Sequence, residues 1–311
     1  MHPSFSVIFF TTASGAGYGL LALLGLSAPL GLLAPNRWFS ATSLALALVL
    51  ITAGLLSSTV HLGRPERAWR AFSQWRSSWL SREGVMSVVT FLPALLFAFG
   101  WTIENRTDGY VPAAGAVAAV CALATVFTTG MIYATLKPIP EWHSGFTVPG
   151  YLIFSVMTGA VLFNMMLRLF GEDARLAAVC ALVAIVIGWI WKIATWRHND
   201  AMKDPVTLNS ATGLKDGTVR SIEWPHTQEN YVLKEMGYRV ARKHANKLRL
   251  IVHVLAFALP LVAIAIALAT GGLVALAASI IAVALQASGM LVERWLFFAE
   301  ARHVVALYYG R

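Results

Sequence analysis

His61 and Glu83 stand at the two ends of an arginine- and tryptophan-rich segment, each at the edge of a long apolar run. A tight connection between those runs returns imidazole and carboxylate to the same depth, where both can face one shallow pocket. Such a pair suits quinone chemistry, because a carbonyl oxygen that gains electrons needs a hydrogen-bond donor and then a proton. A structural assignment fits the spacing equally well. His61 then caps the carbonyls of a helix C-terminus, while Glu83 sits in a first helical turn or pairs with Arg82 or Arg76. Spacing alone leaves both open.

His253 lies near the start of a later apolar run, and His143 follows Glu141-Trp142 in a loop that begins Lys137-Pro138. A b-type haem needs two imidazoles on facing helices at matched depth. His61 and His253 come nearest to that, and both lie close to one surface, so a capping or buried histidine is the expected outcome and haem is not. Glu293 and Arg294 fall in the last run, followed by Glu300 and Arg302. Glu293 is a possible proton carrier, but pairing with a basic neighbour is the expectation. Lys192 lies one turn from the end of its run and is expected to snorkel.

Cys121 and Cys180 both lie inside apolar runs, so no disulfide framework, zinc ribbon or iron–sulfur ligand set is expected, and no metal site. Gly15-Ala16-Gly17-Tyr18-Gly19 lacks the next glycine of a dinucleotide fingerprint, since Leu20 stands there, and no strand precedes it. Gly15 and Gly19 instead suit close approach of another helix. The triplet Asn105-Arg106-Thr107 matches a glycosylation acceptor, a weak signal without a secretory context.

These residues need elements to hold them, and composition says which. Of 311 residues 58% are apolar and 13% charged, and mean hydropathy is +0.66; soluble domains carry about twice that charge. Apolar runs lie near Phe5–Leu26, Ser40–Leu62, Val85–Ile103, Val111–Leu136, Gly150–Leu169, Leu176–Trp196, Leu250–Thr270 and Gly272–Phe298. Each matches the roughly 20 residues that span a bilayer. Backbone groups cannot stay unpaired in hydrocarbon and no barrel-like alternation is visible, so the expectation is an all-α integral membrane protein, an eight-transmembrane-helix bundle forming a single membrane domain over 1–311. The opening Met1-His2-Pro3 lacks a basic region and no cleavage site follows, so no removable signal peptide is expected.

An even number of spans puts both termini on one side. The opposite side holds Arg37, Arg106, Arg168 and Arg175, which is 4 of the 24 basic residues, and the terminal side takes the other 20. The positive-inside rule places that richer side, and both termini, in the cytoplasm. Juxtamembrane attraction to anionic lipid accounts for the formal charge of +9 without a nucleic-acid partner.

Two cytoplasmic segments stand out. In 63–84, Trp69, Phe72, Arg76 and Trp79 recur at three- and four-residue steps, which suits one short amphipathic helix lying at the membrane surface. The 197–247 loop, polar from Asp200 to Gly217 and helix-like from Tyr231 to Lys247, is long enough to dock a cytoplasmic protein. A secondary transporter is disfavoured, because Pro93 and Pro260 are the clear mid-span breakers and no paired central charges accompany them.

The opening Phe5-Ser6-Val7-Ile8-Phe9-Phe10, the stretch His61-Leu62-Gly63-Arg64-Pro65-Glu66-Arg67-Ala68 with Leu80-Ser81-Arg82-Glu83 downstream, and Pro140-Glu141-Trp142 before Thr147 and Gly150 together resemble the DmsC family. Its members are membrane anchor subunits of dimethyl-sulfoxide-reductase-type molybdoenzymes. The resemblance covers most of the sequence. It implies an eight-helix anchor that exchanges electrons between the quinone pool and a four-cluster iron–sulfur subunit with [4Fe-4S] centres, itself joined to a catalytic molybdopterin subunit that holds the molybdenum. It also implies a quinone site at His61 and Glu83 acting as proton relay, with Arg64, Arg67 and Trp79 beside it and the Arg64–Arg82 segment meeting the iron–sulfur subunit.

Charge then separates branches of the family. A cytoplasm-facing complex in a bacterial inner membrane is similar to the branch whose anchor, SoeC, serves membrane-bound sulfite dehydrogenase, and the Pro205–Lys247 loop looks like that branch. The reading that follows is an anchor reducing quinone with electrons from sulfite oxidised in partner subunits. The rival within the family is a quinol-oxidising anchor of a dimethyl sulfoxide, polysulfide or tetrathionate reductase; outside it, a purely structural anchor without a quinone site.

Overall fold

The computed structural model describes residues 4–33, 35–60, 62, 64–202, 206–223 and 240–309. Among them, helices α1 (Phe5–Ser27), α2 (Arg37–Thr59), α3 (Trp79–Ala98), α4 (Val111–Ala134), α5 (Thr147–Leu169) and α6 (Arg175–Ala201) are followed by the short α7 (Leu208–Thr212). Then come α8 (Val240–Val252), α9 (Leu259–Ala269) and α10 (Gly272–Ala299). A π-helical turn, Phe99–Ile103, extends α3, and another, His253–Ala258, joins α8 to α9 into one span. That wider turn comes just ahead of Pro260, where a missing N–H interrupts the α-helical ladder. Eight helical segments among the described residues are long and apolar enough to cross a membrane, as the hydropathy pattern predicts. No strand occurs among the described residues.

Helix α1 runs through the middle, packed on α2, α4 and α5. Backbone meets backbone there. A Cβ at Gly19 would collide with the Ser155 carbonyl on α5, and one at Gly25 with the Gly115 carbonyl on α4. Lipid offers no hydrophobic force between helices, so this close van der Waals approach of small residues is what binds them. Gly19 thus has the role its spacing suggests, whereas Gly15 has open space beside it. One apolar core, around Tyr18, Phe39, Phe97 and Trp101, fills the α1–α4 half; a second, around Met157, Ile185, Phe257 and Leu296, fills the half built by α5, α6, α8–α9 and α10. Helix α5 contributes to both, through Tyr151 and Leu162 to the first and Phe154 and Met157 to the second.

The segment between α2 and α3 departs from the one short amphipathic helix that the Trp69–Trp79 spacing suits within the 63–84 loop. A 3-10 helix covers Pro65–Gln74, the backbone turns at Trp75–Ser78, and Trp79 already opens α3. Arg76 and Trp79 therefore do not extend the Trp69–Phe72 face. The break follows from Arg82, which reaches back to donate to the Trp75 and Arg76 carbonyls at 3.0 and 2.8 Å and stacks 4.2 Å above the Trp79 ring. Of the 197–247 segment, α6 continues to Ala201 and α7 is opened by a Thr207–Ser210 capping box. The helix expected from Tyr231 is described from Val240 onward; 203–205 and 224–239 lie outside the described residues.

Candidate functional site

Because α3 begins at Trp79, Glu83 lies past its first turn. The buried positions Glu83, Ser87, Thr90, Ala94 and Phe97 recur at three- and four-residue steps and form the inward stripe of α3. The carboxylate is 5% exposed. Thr129 of α4 donates its hydroxyl to Glu83 Oε1 at 2.5 Å. The same hydroxyl lies 3.1 Å from the Thr125 carbonyl, but it has one proton and the carboxylate contact is the shorter. One step deeper, the Thr90 and Thr125 hydroxyls meet at 2.9 Å. Of the structural alternatives for Glu83, the pairing with Arg82 or Arg76 does not form: Arg82 donates to backbone carbonyls and the carboxylate points inward, just past the first turn of α3.

The other predicted site residues are placed unequally. Trp79 is half-buried, its ring edge-to-face with Phe127 of α4 at 6.0 Å. Arg64 and Arg67 are exposed on or beside the 3-10 helix. His61 lies outside the described residues. His253 faces Trp189, whose indole N–H donates to its Nδ1 at 2.8 Å, and Trp196 packs edge-on at 5.1 Å. His143 donates from Nδ1 to the Ala134 carbonyl at 2.6 Å. Among the described residues no cluster of three metal-ligating side chains occurs.

A second polar centre contains more than sequence reasoning foresees. Glu293 is fully buried on α10, with Lys192 Nζ of α6 2.5 Å from Oε1 and Arg294 Nε 2.5 Å from Oε2. Pairing of Glu293 with a basic neighbour matches the expectation; burial of Lys192 does not. Lys192 is 4% exposed and does not snorkel, because Glu293 faces it from α10 and the Trp196 ring lies 4.6 Å away. Arg294 lies 4.6 Å over the Tyr151 ring and 4.7 Å over Phe297. Tyr151 in turn stacks on Tyr133 at 5.6 Å. The available signal is the charge itself, three ionisable groups inside apolar runs; the pairing across 101 residues leaves no local trace.

Above this triad a pocket of about 540 Å³ opens between the loop before α5 and the ends of α6 and α10. Trp142, Phe146 and Trp196 wall it, and the exposed Asp200 and Asn246 stand at its rim. Arg302 bridges to Glu141 at 2.8 Å, and Arg249 to both Asp200 and Glu300 at 2.7 and 2.8 Å. Nearby and outside the spans, burial lowers the proton affinity of His303 below the ordinary histidine range, and its Nδ1 accepts the Val305 N–H at 3.0 Å.

Fold and site together describe a multi-pass membrane subunit with buried ionisable groups near the face that carries the α2–α3 and α4–α5 connections. The protein belongs to the family of DMSO reductase anchor subunits (DmsC), whose sequence model matches residues 1–310. It is 35% identical to the C subunit of sulfite dehydrogenase from Allochromatium vinosum, over 99% of both sequences. It is 26% identical to the C chain of anaerobic dimethyl sulfoxide reductase from Escherichia coli K12, over 46% of this sequence and 50% of that one. No solved structure matches it.

Proposed function

We propose that this subunit anchors a molybdopterin and iron–sulfur oxidoreductase to the cytoplasmic face of a bacterial inner membrane and is the place where electrons from sulfite oxidation reach quinone. The observation that carries the reading is Glu83, a buried carboxylate hydrogen-bonded by Thr129 and one helical turn from the connection that bears Arg64 and Arg67. A bound quinone takes up two electrons and two protons. Glu83 is suited to hold and pass a proton at its Oε atoms, and His61, at the other end of the connection, is its partner in this reading. Trp79 and Phe127 offer the aromatic surface beside it. Arg64, Arg67 and the exposed Trp69 and Trp75 offer a basic and aromatic face to an iron–sulfur subunit. The 197–247 segment, on the same side, is a second docking surface.

The sulfite branch is favoured over reduction of dimethyl sulfoxide, polysulfide or tetrathionate because likeness to the sulfite dehydrogenase relative runs end to end, whereas likeness to the dimethyl sulfoxide reductase relative spans less than half the sequence. The test is sulfite-dependent reduction of added quinone by membranes holding the assembled complex. Sulfite oxidation that reaches a soluble dye but not quinone when this subunit is deleted supports the reading. Quinone reduction that survives the deletion contradicts it.

A further inference from the structure

Between the two polar centres lies a small, half-open cavity of about 30 Å³, room enough for water, lined among others by Tyr18, Thr129, Tyr151, Ser155, Thr158 and Arg294. Two of its hydroxyls, on Tyr18 and Tyr151, are buried without a hydrogen-bond partner. A buried hydroxyl left unpaired is costly, and a water in this space is the partner within reach of both. The cavity touches both centres. Thr129, on its wall, donates to Glu83. Arg294 and Phe154 line the cavity and also the 540 Å³ pocket at the face.

We infer that these spaces form a proton inlet: from the pocket above Lys192 and Glu293, past Arg294, through water held by Tyr151 and Tyr18, to the Thr129 hydroxyl and so to Glu83. The inference rests on Glu83 being the proton donor of the preceding section. It adds the supply line, which is needed if a docked partner covers the α2–α3 connection and shuts the short route from bulk water. Each proton enters as an excess proton from the pocket: the cavity water, protonated by it, gives one to Thr129 Oγ1 as Thr129 gives its own to Glu83 Oε1, and a neutral water is left in the cavity. Arg294 carries no proton. Its guanidinium, held by Glu293 and stacked on Tyr151, keeps the passage between pocket and cavity in place.

Tyr151→Phe removes one oxygen from this line and leaves the ring stack intact. In the intact complex, infrared spectroscopy follows the protonated carboxyl band that is absent in Glu83→Gln, and the rate at which it shifts after transfer to D2O reports proton access to Glu83. The expected result is exchange slowed about tenfold or more in Tyr151→Phe, with quinone-linked turnover reduced in parallel and restored by a small weak acid such as formate. Tyr18→Phe, across the cavity, gives the same test should Tyr151→Phe lower the amount of complex. Unchanged exchange and turnover in both variants, with Glu83→Gln inactive, overturns the inlet while leaving the quinone reading intact. Full turnover in Glu83→Gln overturns the quinone reading instead.

Discussion

A carboxylate at membrane depth needs a hydrogen-bond donor, a counter-charge or a proton, and Glu83 rests on a neutral hydroxyl, that of Thr129. Glu83→Gln keeps the shape and removes the exchangeable acid, so quinone-linked turnover in the assembled complex is expected to fall by about a hundredfold, while sulfite oxidation with a soluble dye is retained. Thr129→Val is expected to give a smaller loss in the same paired assays. Glu293 behaves differently, as a structural counter-charge. Glu293→Gln leaves Lys192 and Arg294 buried together without their anion, and thermal unfolding of the complex should show a loss of about 3–5 kcal/mol. Lys192→Met, which leaves the Glu293–Arg294 pair standing, should cost much less. Glu83 was legible as a candidate because a carboxylate bordered an apolar run. Its inward aim was not, because Ser81 and Arg82 interrupt the apolar run and hid the true start of α3 at Trp79.

At the scale of elements, the eight spans were readable from hydropathy because hydrocarbon admits few other structures. The α2–α3 connection was only partly readable. Its aromatic spacing fits a continuous helix, and the capture of the Trp75 and Arg76 carbonyls by Arg82 is a contact that spacing does not encode. The centre of the bundle depends on the α1–α5 crossing, where Gly19 and Gly159 let two backbones touch. Gly159→Val should separate them, and size-exclusion chromatography of the detergent-extracted complex should show loss of the folded subunit. The same change at Gly15, which faces open space, should be tolerated.

For the whole molecule, the two halves share α5, and the small cavity between them is lined by Thr129, the partner of Glu83, on one side and by Arg294 of the Lys192–Glu293–Arg294 triad on the other. Charge asymmetry predicts which way the bundle sits. A cysteine introduced at exposed Ser77 should react with a membrane-impermeant maleimide in inside-out vesicles and not in right-side-out ones; the reverse pattern would turn the complex over. The central claim is that quinone is reduced beside Glu83, and a photoreactive quinone analogue crosslinked to the assembled complex tests it most directly. The account predicts labelled peptides from 62–97 and 111–134, lost on competition with native quinone and in Glu83→Gln. Competable labelling confined to the pocket above Lys192, with α3 and α4 unmarked, would contradict it.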